Sequence, residues 1–152
     1  MMKTKIIFIC HGNICRSTMA EFLFRDMVEK QGVADRFAVI SRATSTEELG
    51  NPVHPGTRQV LSRLGISTTG KYAQRITREE CDAWDMLIVM DRNNRRNLTP
   101  FIGNNAHKVT TLLSYAGLDR DISDPWYTGN FEDTYQDVKM GCEALLKKLL
   151  KE

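Results

Sequence analysis

The stretch Ile6-Ile7-Phe8-Ile9-Cys10-His11-Gly12-Asn13-Ile14-Cys15-Arg16-Ser17 decides the fold. Its four consecutive large apolar residues, Ile6 to Ile9, read as a strand buried on both faces. Beyond Ser17, the residues Met19, Phe22, Leu23 and Met27 recur at helical spacing and predict a helix to about Val28. A strand that runs through a small-residue loop into a helix aims backbone N–H groups and a helix N-terminus at one point. Such a point attracts anions. A thiol placed there ionises more readily than a free one. Five residues separate Cys10 from Arg16. That length lets residues 10–17 curl around a tetrahedral dianion, with the thiol below and the guanidinium at the rim. Arg16 suits the rim because its planar fork makes parallel bonds to phosphate oxygens. Gly12 is expected to take a positive φ and approach the ligand closely. Asn13 tolerates left-handed geometry and can bond locally to hold the loop. Ser17 can donate a hydrogen bond to the sulfur. His11, Ile14 and Cys15 complete the phosphate-binding loop.

Working outward, strand and helix patterns alternate. Phe37 to Ile40 predicts a second strand. Ser41 to Gly56 reads as loop, punctuated by Gly50-Asn51-Pro52 and Pro55-Gly56. Thr57 to Leu64 predicts a short helix stopped by Gly65. Thr77-Arg78-Glu79-Glu80 fits a capping box. Met86 to Met90 predicts a buried strand, and Asp91 caps a helix to about Leu98. Lys108 to Leu113 is a weaker strand. Ser114 to Asn130 carries no periodicity and is too long for a plain connector, which marks it as a functional loop. Phe131 to Leu150 is helical again, with Tyr135, Val138, Leu145, Leu146 and Leu149 on one stripe. Such alternation predicts an α/β fold with a parallel sheet and helices on both faces. Ligands in such folds bind beyond the C-terminal ends of the strands, where the Cys10 loop lies.

The chain has 152 residues, 41% hydrophobic and 26% charged, with a net charge of +2. These values fit one globular domain over residues 1–152. The charge is too small to argue for a nucleic-acid or membrane partner. No apolar run approaches the roughly 20 residues of a membrane span. The start, Met1 to Lys5, is followed by too short an apolar run for a signal peptide. A cytoplasmic location follows as the expectation. Cys10, Cys15, Cys81 and Cys142 are then reduced thiols rather than two disulfides. Cys81 and Cys142 fall in helical patterns and read as structural.

Other site types fit poorly. The G-x-x-x-x-G-K-[ST] nucleotide loop is absent. Cys10, His11 and Cys15 lack a fourth ligand for zinc, so no metal is expected. His54 and His107 are isolated in sequence and read as surface or half-buried structural residues.

The pattern C-x-G-N-x-C-R-S at Cys10–Ser17 resembles the signature of the low-molecular-weight protein tyrosine phosphatases. Ala20-Glu21, Ala43-Thr44-Ser45, Gly50-Asn51-Pro52, Ala73 to Thr77, Met90-Asp91 and Asp124-Pro125-Trp126-Tyr127 fall in the family's order. The resemblance implies a four-stranded parallel sheet and a cofactor-free hydrolase of phosphotyrosine and aryl phosphates. It implies a phosphocysteine intermediate, phosphotyrosine-containing protein substrates, and inhibition by inorganic phosphate or vanadate. Cys10, Arg16 and Asp124 are then the catalytic residues. From the residues alone, a general acid for the departing phenol could be Asp119, Asp121, Asp124 or Asp133. Pro125 biases Asp124 to an extended conformation, and the resemblance selects Asp124. Trp126 and Tyr127 read as walls for an aromatic ring, a gain of roughly 1 kcal/mol. The resemblance also implies a reversible Cys10–Cys15 disulfide that shields the nucleophile.

Several positions depart from the family pattern. Thr18 replaces a proline that preorganises the helix start. His11 replaces an apolar residue. Ser41 matches a serine that bonds the loop asparagine, here Asn13, so Asn13, Ser17 and Ser41 form the loop support. The histidine that joins this network in relatives aligns with Lys71 or Tyr72. Glu47 stands where many relatives place an aromatic pocket wall, which favours basic sequences around the phosphotyrosine. Rival activities on the same fold are arsenate reduction and phosphoarginine hydrolysis. Arsenate reduction needs two further relay cysteines, and Cys81 has no nearby partner. The arginine phosphatases carry threonine in place of Ile14. A non-enzymatic phosphocysteine carrier would leave Arg16 and Asp124 without work. Arg92, Arg95 and Arg96 form a basic cluster that reads as a solvated helix face.

Overall fold

The computed structural model describes residues 3–151. Strand β1 spans Thr4–Cys10, and its segment Ile6 to Ile9 is fully buried. Alternate side chains enter two different cores, as the strand period requires. Ile6, Phe8 and Cys10 join a core with helices α1 (Arg16–Lys30), α2 (Pro55–Ser62) and α6 (Phe131–Leu150). Ile7 and Ile9 join a second core with Cys81 of α3 (Arg78–Ala83) and Leu98 of α4 (Arg92–Ile102). Helices therefore cover both faces of the sheet. The remaining strands are β2 (Phe37–Ala43), β3 (Met86–Val89) and β4 (Val109–Thr111). A four-residue helix, α5 (Pro125–Thr128), precedes α6.

All strand pairs are parallel and the order is β2-β1-β3-β4. The chain leaves β1 toward β2 and later returns to β3 on the opposite side. The switch point lies between β1 and β3, and a crevice forms beyond their C-terminal ends. Cys10 ends β1, and Asp91 follows β3 at the same end.

Several boundaries differ from the sequence reading. Helix α1 begins at Arg16 rather than Met19, so the guanidinium is rooted in the first turn. Strand β2 continues through Ser41 to Ala43, because backbone pairing with β1 persists after the apolar run ends. Helix α2 starts at Pro55, a residue suited to the first helical position. Helix α4 runs past Pro100 to Ile102. Strand β4 is only Val109–Thr111, and Leu112–Ala116 forms a 3-10 turn. The region 114–130 is not irregular throughout, since α5 lies within it. Among the described residues, no helix is long and apolar enough to cross a membrane.

Candidate active site

The loop after β1 is held from below by side chains. Asn13 is the one non-glycine residue with positive φ among the described residues, at 59°. Gly12 does not take positive φ, contrary to the sequence expectation. A Cβ at Gly12 would stand 3.2 Å from Glu48 Cγ, so its small size serves close approach rather than backbone handedness. The left-handed turn at Asn13 is stabilised by its buried amide. Asn13 Nδ2 donates to Ser17 Oγ at 2.8 Å and to Ser41 Oγ at 2.9 Å, and Oδ1 accepts from Gln74 N at 3.1 Å. Asn13, Ser17 and Ser41 thus meet as the loop support.

Behind Ser41 lies a charged layer in which sequence reading placed only Lys71, as an alternative to Tyr72. Ser41 Oγ donates to Glu21, which is buried. Arg25 and Lys71 stand 2.8 Å and 3.3 Å from the Glu21 carboxylate. Lys71 Nζ also donates to Ser41 O at 3.0 Å, while Tyr72 is exposed. Lys71, not Tyr72, therefore joins the network. Burial pulls the Lys71 ammonium below its ordinary pKa, against the attraction of Glu21. Thr18, in the place of the usual proline, donates from its hydroxyl to Cys15 O at 3.0 Å and so ties down the helix start.

The cavity above the loop is lined by Cys10, Arg16 and Asp124 together with Glu47, Trp126 and Tyr127. His11, Gly12, Ile14, Cys15 and Glu48 complete it. Cys10 Sγ lies 3.0 Å from Ser17 Oγ. Because Ser17 Oγ already accepts from Asn13, its own hydrogen is free to point at a thiolate. No backbone carbonyl among the described residues takes the amide hydrogens of Gly12 to Arg16, which leaves them for an anion. Burial opposes the charge on Arg16, but Cys10, Asp91 and Asp124 outweigh it and raise its pKa. Its Nη1 donates to Asp91 Oδ2 at 2.6 Å and to Ile122 O at 2.9 Å, and its Nη2 to Asp124 Oδ2 at 3.4 Å. Burial first, and negative charge on Cys10 second, push the Cys15 thiol far up.

Of the four aspartates that could serve as the acid, Asp124 is the one that lines the cavity. Its rivals are occupied elsewhere: Asp119 and Asp121 accept from Arg92, and Asp133 accepts from Asn130. Asp124 Oδ1 accepts from Trp126 N at 3.0 Å, which orients the carboxylate. Trp126 and Tyr127 are 56% and 82% exposed, so they wall the cavity rather than pack into the core. His11 faces the cavity, its Nε2 lying 2.6 Å from Glu47 Oε2. Arg92, Arg95 and Arg96 on α4 are exposed, as expected of a solvated face, with Asn93 and Asn97 exposed beside them. Asn94 between them is buried and accepts from Met90 N and Asp91 N.

Comparison with known proteins agrees with this architecture. A family model described as low molecular weight phosphotyrosine protein phosphatase matches residues 5–152. The low molecular weight protein-tyrosine-phosphatase YfkJ of Bacillus subtilis is 40% identical over 150 residues, covering 97% of this chain and 96% of the relative. The YfkJ crystal structure superposes with a TM-score of 0.95 at 38% identity, covering 99% of this chain and 97% of that one. SP-PTP from Streptococcus pyogenes, a low molecular weight protein tyrosine phosphatase, gives a TM-score of 0.85 at 38% identity. That match covers 96% of this chain and 93% of the other. A loop of unpaired amides under a guanidinium, with that likeness along nearly its whole length, places the chain in the low molecular weight phosphotyrosine protein phosphatase family.

Proposed function

We propose that this chain hydrolyses phosphotyrosine in proteins, and aryl phosphate monoesters generally, with Cys10 as nucleophile, Arg16 as transition-state clamp and Asp124 as general acid. The observation that carries the reading is the meeting of these three side chains in one cavity walled by Trp126 and Tyr127. The Cys10 thiolate attacks phosphorus in line. The amides of residues 11–17 and Arg16 hold the equatorial oxygens, where charge accumulates. Arg16 is already oriented by Asp91, so little reorganisation accompanies binding. Asp124 protonates the departing phenolate and leaves a phosphocysteine. It then accepts a proton from the water that hydrolyses this intermediate. Inorganic phosphate and vanadate compete for the same cradle.

The pocket walls fit a flat ring. Ile14 adds an apolar surface to Trp126 and Tyr127, which suits a tyrosine ring better than a guanidinium. Glu47 and Glu48 add negative charge at the mouth, favouring basic residues beside the phosphotyrosine. Cys81 lies fully buried in α3 and its thiol is pushed up to about 11, first by burial and then by Glu80 and Asp82. That setting suits packing and not the relay needed for arsenate reduction. The four cysteines are free, in keeping with a reducing, cytoplasmic compartment. Under peroxide, Cys10 and Cys15 form the proposed protective disulfide.

The test is Cys10→Ser. It is expected to lose turnover of a phosphotyrosine peptide and of 4-nitrophenyl phosphate by more than about 1,000-fold while still binding vanadate. Retained turnover overturns the assignment of the nucleophile.

A further inference from the structure

His54 is isolated in sequence but central in space. It caps α2, with Nδ1 accepting from Gly56 N at 3.0 Å. That bond requires an unprotonated Nδ1. Its backbone N donates to Ile14 O of the phosphate loop at 2.9 Å. Its half-buried ring stacks on Phe131 at 4.9 Å between centroids and meets Trp126 edge-on at 5.7 Å. Phe131 in turn packs against Ile14, Cys15 and Ala73 beneath the loop. Gly56 makes room for this arrangement, since a Cβ there would lie 2.5 Å from the Phe131 ring.

His54 therefore connects the cradle, through its backbone N–H, to the segment that carries the acid, through its ring. That segment needs an external hold. Helix α5 has four residues, too short to be stable by itself. Its Trp126 and Tyr127 are mostly exposed. Asp124 takes its orientation from Trp126 N, two residues along. Rotation of α5 would carry that N–H, and so the carboxylate, away from the leaving oxygen. The Trp126 ring leaning on His54 opposes such a rotation.

We propose that His54 is a positioning residue for Asp124, acting through the ring of Trp126. The proposal rests on Asp124 being the general acid. The ring does the positioning, and the Nδ1 cap serves the stability of α2.

Variants separate these two roles. His54→Asn keeps a good cap and removes the ring. His54→Phe keeps a ring and removes the cap. The readout is kcat/KM across aryl phosphates of rising phenol pKa, with inhibition by inorganic phosphate measured alongside. For His54→Asn, kcat/KM on phenyl phosphate is expected to fall about tenfold more than on 4-nitrophenyl phosphate, because proton donation matters most for a poor leaving group. Phosphate inhibition is expected to stay within about twofold, since the cradle is untouched. His54→Phe should retain the wild-type leaving-group dependence. Asp124→Asn, run in parallel, should show the steepest dependence of all. An unchanged dependence in Asp124→Asn removes the acid itself and this proposal with it. A steep dependence there, with a wild-type dependence in His54→Asn, overturns the role of His54 alone. A steep dependence in His54→Phe overturns it too, by showing that the cap rather than the ring matters. If His54→Asn does not fold, Trp126→Leu breaks the same contact from the other side, and a wild-type dependence there overturns the proposal.

Discussion

Asp91 divides its two oxygens between two tasks: Oδ2 takes the Arg16 guanidinium at 2.6 Å, and Oδ1 caps α4 by accepting from Asn94 N at 2.7 Å. The cap fixes the carboxylate, and the carboxylate fixes the guanidinium. Asp91→Asn keeps the cap and loses the charge. Phosphate inhibition and KM for aryl phosphates should weaken about tenfold, because the charge-assisted bond that aims Arg16 is gone. Asp91→Ala loses both roles, and urea denaturation should show a loss of about 3 kcal/mol, since Arg16 is left buried without its main partner. Wild-type phosphate affinity in Asp91→Asn would rule out the aiming role.

Asn13 holds a left-handed turn by three hydrogen bonds. Asn13→Ala should lower stability by about 2–4 kcal/mol, from lost bonds and from strain at positive φ. Asn13→Gly relieves the strain and should regain about 1 kcal/mol, yet kcat/KM should stay about 100-fold low in both because the cradle loses its support. If Asn13→Gly restores kcat/KM, backbone handedness and not the amide is what the loop requires.

Peroxide should oxidise Cys10 to a sulfenic acid, and the Cys15 thiol should then attack that sulfur, expelling water and forming a disulfide. Treatment with dithiothreitol is expected to restore the wild type. Cys15→Ala should instead progress to sulfinic acid and recover poorly, as activity and intact mass can report. Equal recovery of the two proteins would remove the protective role.

Burial pushes the thiols of Cys15, Cys81 and Cys142 up from a reference of 9.0. A raised folded-state value means that the unfolded chain releases these protons first. The contribution of the neutral thiols is fully present below pH 9.0 and is lost as pH rises above it. Urea denaturation at rising pH should show stability falling through this window, with a shallower fall in Cys142→Ala. The same slope in both proteins would locate the alkaline sensitivity elsewhere.

Much of the site was legible because its chemistry is local. Cys10, Asn13, Arg16 and Ser17 lie in one turn, so their spacing reports their geometry. Left-handed geometry was legible at both Gly12 and Asn13, and only Asn13 adopts it, because its amide finds three partners. Those partners come from α1, β2 and the segment at Gln74, and only one is near in sequence. Glu21 was equally hidden, and the sequence left Lys71 and Tyr72 as alternatives for the network. A carboxylate and an ammonium fifty residues apart carry no signal that they share a buried site beneath Ser41. His54 looked isolated because ring contacts have no period.

Taken alone, the amino-acid order determined a buried first strand, an anion-binding turn with a thiol at its base, and alternating elements that require a parallel sheet. Periodicity and turn chemistry are properties of neighbouring residues, so they survive in one dimension. Tertiary structure decided which carboxylate orients Arg16, which aspartate lines the cavity, and which side chains brace the loop. The reason is the strand order β2-β1-β3-β4. It brings the C-terminal ends of distant strands side by side, and electrostatic partners are chosen there by proximity in space.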